Sequence, residues 1–60
     1  MYLFAGHYIN MNTDEKRTIS IELDSQFFDS EKDVYKFAIS VAFENKKDDE
    51  IFDSLEFLAG

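Results

Sequence analysis

Residues 35–43 constrain the fold more than any other stretch of this chain. Tyr35, Phe37, Ile39, Val41 and Phe43 occupy the odd positions, and Lys36, Ala38, Ser40, Ala42 and Glu44 alternate with them. A period of two in aromatic and β-branched residues is the pattern of a strand. A helix competes. Ser30 with Asp33 resembles a capping box, and Val34, Phe37, Ala38 and Val41 follow helical spacing. On a helix, however, Tyr35, Ile39 and Phe43 would fall outside that stripe, leaving only Lys36, Ser40 and Glu44 as a polar side. A helix so apolar must be buried on most sides, and a chain of 60 residues cannot surround one. The segment is therefore predicted to be a strand.

Proline is absent and glycine occurs only at Gly6 and Gly60, so polar clusters supply the punctuation. Clusters at 10–16, 24–33 and 45–50 leave four apolar segments. In 17–24, Ile19, Ile21 and Leu23 share one face, with Thr18, Ser20 and Glu22 on the other. Segment 50–59 alternates less cleanly, because Asp53 interrupts Ile51, Leu55, Phe57 and Ala59. Segment 2–11 is apolar on both faces, and Gly6 inside it predicts a bulge, a bend or the close approach of another backbone. The expected fold is all-β: one domain over 1–60, a four-stranded antiparallel meander with a hairpin tip at 45–49. A single sheet has no second layer to cover its apolar face. The remedy expected is packing or extension by self-association, as a homo-oligomer, and the competing solution is a small closed barrel.

Composition narrows the function classes. Thirteen acidic residues against six basic ones give a net charge of −7. Such a chain repels phosphate backbones and anionic membrane surfaces, so nucleic acid and membrane are not expected partners. An acidic surface also keeps an aromatic-rich domain soluble. Cysteine is absent, which excludes disulfides and thiol nucleophiles and leaves no zinc-ligand set. No apolar run approaches the length of a membrane span. The opening Met1-Tyr2-Leu3-Phe4 lacks a basic region and cleavage site, so no signal peptide is predicted and a cytoplasmic protein is expected.

Candidate chemistry is sparse, and neither an enzyme nor a cofactor is expected. His7 is the single histidine, and its strand parity makes it a structural or surface residue. A triad of Ser20, His7 and an aspartate has no supporting spacing or oxyanion motif. Asp29, Glu31 and Asp33 open like a calcium loop, but Val34 stands where glycine is required and Ser40 where a bidentate glutamate is required, so no metal is expected. The acidic run Asp48, Asp49, Glu50, Asp53 and Glu56 reads as a solvated hairpin end. The aromatics are the main feature. Most match the strand parity of a core, whereas Phe27 and Phe28 sit in a polar connection. They either fold back over the sheet end or form, with the strand residues Tyr35 and Phe37, an anchor for an apolar partner.

Residues 18–60 resemble the central sheet of the SecB export-chaperone family. The resemblance lies in Thr-Ile-Ser-Ile-Glu-Leu-Asp-Ser at 18–25, Asp-Val-Tyr-Lys-Phe-Ala-Ile-Ser-Val-Ala-Phe-Glu at 33–44, and Asp-Glu-Ile-Phe-Asp-Ser-Leu-Glu-Phe-Leu-Ala-Gly at 49–60. It implies an acidic, cytoplasmic, oligomeric protein that binds unfolded polypeptide in apolar grooves without ATP. This chain departs from the family in the short link at 10–16, where the family has a long crossover, and in lacking the helices that follow the sheet. The expected function is thus non-enzymatic protein binding, in the manner of a minimal or truncated SecB-like chaperone. The alternative is a small acidic inhibitor of the kind mobile elements encode. It would dock on a basic protein surface with Asp48, Asp49, Glu50, Asp53 and Glu56 in place of nucleic-acid phosphates.

Overall fold

The computed structural model describes the backbone of residues 1–60 and every side chain except that of Ser25. In chain order it runs β1 (Tyr2–Asn10), β2 (Lys16–Leu23), a single 3-10 turn (Ser25–Phe27), α1 (Glu31–Glu44) and β3 (Glu50–Ala59). The protein is mostly β, and three of the four apolar segments are strands as expected. The third is a helix, so the four-stranded meander is corrected to a three-stranded open antiparallel sheet, ordered β2-β1-β3, with one helix. Residues 45–49 are accordingly the link from α1 to β3 and not a hairpin tip. Among the described residues, no helix is long and apolar enough to cross a membrane.

Local signals that the alternation concealed decide the helix. Ser30 is extended, and its side chain accepts the Asp33 backbone N–H at 3.3 Å. Glu31 and Asp33 place negative charge in the first turn, where the helix dipole favours it. Asn45 closes the other end, its side-chain amide donating to the Val41 carbonyl at 2.8 Å. The inward stripe is Val34, Ala38 and Ala42, at a spacing of four and almost wholly buried. Two alanines there let the helix axis approach the sheet closely. The expectation that so apolar a helix must be enclosed fails for a simple reason: its flanking large side chains are left partly in water.

A tight hairpin joins β1 to β2. The Asn10 side-chain oxygen accepts the backbone N–H groups of Asn12 and Thr13 at 2.8 and 3.1 Å, and Asp14 takes a left-handed φ of 61°. An Asx turn followed by an aspartate in that region suits the residue types. β1 then pairs with β2 over its whole length, from Tyr2↔Leu23 to Ile9↔Lys16. Its pairing with β3 slips twice, at Leu3/Phe4 and at His7/Tyr8. The extra residues fall in β3, at Leu58 and Asp53, so the irregularity expected at Gly6 lies on either side of it. Gly6 instead leaves room on the helix-covered face, where a Cβ would stand 3.3 Å from Ile19 Cγ1 and 3.6 Å from the Tyr8 hydroxyl.

The helix covers the face carrying Phe4, Tyr8, Ile21 and Leu23, and the core gathers Phe4, Ile21, Leu23, Val34, Ala38 and Ala42. Burying a side chain such as Phe4 contributes roughly 1.5–3 kcal/mol. The second layer that the sequence seemed to lack is thus supplied by the helix itself.

Candidate functional site

Each flank of α1 continues as an apolar seam over one sheet edge. On the β3 side, Tyr35 lies 6.4 Å from the Phe57 ring and Phe43 lies 5.0 Å from Phe52. Ile39 falls between them on the helix, and Leu58 is exposed at the bulge. Tyr35, Ile39, Phe43, Phe57 and Leu58 each retain 40–54% of their surface in water. They form a belt along the helix and strand. Below it, Tyr2, Glu31, Val34, Tyr35 and Phe57 line a small cleft of about 90 Å³.

On the β2 side, Phe28 packs back on Phe37 at 5.4 Å and joins the core margin, while Phe27 at the end of the 3-10 turn remains 79% exposed. The two behaviours weighed for this pair are divided between its members. Of the four sequence-predicted contact residues, the structure brings together Phe28 and Phe37, with Phe27 beside Phe28 in the chain. Tyr35 goes elsewhere. On a strand it would share a face with Phe37, but on the helix it turns to the opposite flank and packs on Phe4 and Phe57. Ile39, Phe43, Phe57 and Leu58 were missed. For Ile39 and Phe43 the signal was the apolar excess that had been assigned to a strand's core face, whereas Leu58 falls on the other parity of segment 50–59.

Beneath the helix C-terminus lies a polar lock. Arg17 grips Glu50 with two hydrogen bonds, Nε to Oε2 at 2.8 Å and an Nη to Oε1 at 2.7 Å, and donates a third to the Asn45 carbonyl at 2.9 Å. Its guanidinium carbon stands 4.5 Å above the Tyr8 ring, and the Tyr8 hydroxyl donates to the Ala42 carbonyl. The backbone N–H of Lys47 donates to Glu50 at 2.9 Å. Glu50 is the one buried charged residue, 5% exposed, among the described residues. The hydrogen bonds from Arg17 hold its carboxyl down at about 2, from an ordinary 4.5, against the opposing effect of desolvation. Burial pushes the Tyr8 phenol above its ordinary value. The lock ties β2, α1 and β3 together across β1.

The uncovered sheet face is mostly polar. At its centre, His7 lies 3.0 Å from Thr18 Oγ1 through Nδ1 and 3.0 Å from Glu56 Oε1 through Nε2. A carboxylate only accepts, so in the neutral ring Nε2–H donates to Glu56 and Nδ1 accepts from the Thr18 hydroxyl. This is the hydroxyl–imidazole–carboxylate order of a catalytic triad, with Thr18 and Glu56 in the positions weighed for Ser20 and an aspartate. A shallow groove of about 290 Å³ adjoins it, lined among others by Lys16, Asp53 and Ser54. Backbone N–H groups of strands lie in the plane of the sheet, so none is aimed at an oxyanion above this face. What the arrangement does is join β2, β1 and β3 edge to edge.

The acidic run is dispersed. Glu50 is consumed by Arg17, Glu56 faces His7, Asp53 is a bulge residue, and Asp49 accepts from the Asn10 amide at 2.8 Å. Residues 33–44, one of the stretches carrying the SecB-like resemblance, are helical from Asp33 to Glu44, while 18–23 and 50–59 lie in strands. Set against family models, curated proteins and solved structures, the chain matches none.

Proposed function

We propose that this chain is a non-enzymatic protein-binding domain whose partner packs on the belt formed by Tyr35, Ile39, Phe43, Phe57 and Leu58. One observation carries this: five large apolar side chains with 40–54% exposure lie along one helix flank and the adjoining strand. Grouped apolar side chains on a small acidic protein mark a macromolecular contact. Aromatic residues supply much apolar area for little lost side-chain freedom, which suits them as anchors. SecB-like capture of unfolded polypeptide, implied by the resemblance, is the form of binding this surface suits. The acidic charges around it would favour basic stretches of such a client.

The acidic-inhibitor alternative draws on a different observation. Of the thirteen acidic residues, only Glu50, with Arg17, and Glu56, with His7, meet a basic side chain in a salt-bridge geometry among the described residues. Salt separates the two. Binding of a reduced, unfolded polypeptide to the belt should vary little between 50 mM and 500 mM salt, whereas phosphate mimicry should weaken steeply as charges are screened. Replacing Ile39 and Phe43 together by Ser should lower affinity for the polypeptide by about tenfold or more, as loss of a hot spot does. Unchanged affinity in a variant that keeps its circular dichroism would refute the belt as the binding surface.

A further inference from the structure

β2 is an edge strand whose residues on one face are in an order that is its own complement. On the uncovered face it presents Lys16, Thr18, Ser20 and Glu22, all exposed. Placed antiparallel to a second β2 about a two-fold axis through Ile19, Lys16 meets Glu22, Thr18 meets Ser20, and Ile19 meets itself. The first two oppositions each occur twice and the Ile19 pair once, on the axis, as a two-fold contact requires. The charged pair is of opposite sign both times, and neither Lys16 nor Glu22 has an ion-pair partner in the single chain among the described residues. Thr18 Oγ1, which donates to His7, keeps lone pairs to accept from Ser20 of the second copy.

The strand is also open to such an addition. It pairs with β1 without a bulge and contains no proline, the usual devices that blunt an edge. Above it stands the second apolar seam, with Phe27 79% and Phe37 49% exposed. β3 offers no comparable match. It is bulged at Asp53 and Leu58, and its only charges are the acidic Glu50, Asp53 and Glu56, so self-pairing there would set like charges together.

We infer that the protein forms a two-fold homodimer through β2, in which the Lys16–Glu22 pairs fix the register and Phe27 and Phe37 become covered. The three-stranded sheet doubles to six strands with both helices on one face, and the two β3-side belts remain free at the outer ends. This interface is separate from the belt proposed for partner binding.

Sedimentation equilibrium of the full chain across a dilution series should give twice the 7.0 kDa chain mass at high concentration. Lys16→Glu alone, or Glu22→Lys alone, opposes like charges twice per dimer and should raise the dissociation constant by about tenfold or more. Combining the two swaps restores opposite charges and should bring it back to within about threefold of the original. Both positions are exposed, so the folded state should survive, and circular dichroism of each variant checks this. A wild-type chain that is monomeric at every concentration would overturn the dimer. So would single swaps without effect, or a double swap that fails to restore. A monomer that still binds unfolded polypeptide through the belt would leave the proposed function standing.

Discussion

The two edges of this sheet are built to opposite plans. β2 is regular, buries Ile21 and Leu23 under the helix, and alternates cleanly between apolar and polar faces. β3 is bulged twice, buries only Glu50, and leaves Ile51, Phe57 and Leu58 in water. Both flank the same central strand, yet β2 contributes core and register while β3 contributes exposed surface. A strand committed to the core must keep strict alternation, because one slip turns every side chain to the wrong face. A strand that mainly presents surface tolerates slips, and each bulge re-aims the side chains beside it.

The contrast is most severely tested by matched truncations. Ile21→Ala removes buried volume and should cost about 2–5 kcal/mol, enough to unfold a chain of this size in part at ordinary temperature. Leu58→Ala on β3 should change stability by less than about 0.5 kcal/mol. Urea titrations of both variants measure this, and equal losses would erase the distinction between the edges.

Acid tests one of the places where the edges are tied together. The Glu50 carboxyl is held at about 2, below its ordinary 4.5. A depressed folded-state value means the stabilisation is fully present above the unfolded value and is lost as pH falls through the folded one. Stability should therefore decline from about pH 5 toward pH 2. Glu50→Gln should lower the melting temperature at pH 7 and flatten that decline. A variant with the wild-type acid profile would show that other carboxylates govern it.

The smallest expected effect concerns the helix that both edges share. Ser30→Ala removes the N-cap acceptor and should cost about 1 kcal/mol, read as a lower urea midpoint with an unchanged slope. A larger loss, with a shallower slope, would mean that the 24–30 connection and the β2 seam come apart with the cap.

Residue order alone revealed much of this. The strand at 16–23 follows from its alternation, and those at 2–10 and 50–59 from apolar stretches set off by polar clusters. The interruption at Asp53 in the pattern of 50–59 was a legible trace of a bulge. Phe27 and Phe28 were legible as exceptional because they lie outside any periodic segment. Serine at 30, with acidic residues after it, also announced a helix start, but period-two spacing over 35–43 outweighed it. Both periodicities were present there, and choosing between them required knowing what could be buried. Only the tertiary structure decided that. The narrow stripe of Val34, Ala38 and Ala42 suffices to seat α1 on the sheet, and its larger neighbours stay at the water boundary. For the same reason, the belt of Tyr35, Ile39, Phe43, Phe57 and Leu58 could not be read from the sequence. Its members are distant along the chain, and they meet only because α1 crosses from β2 to β3 over the central strand.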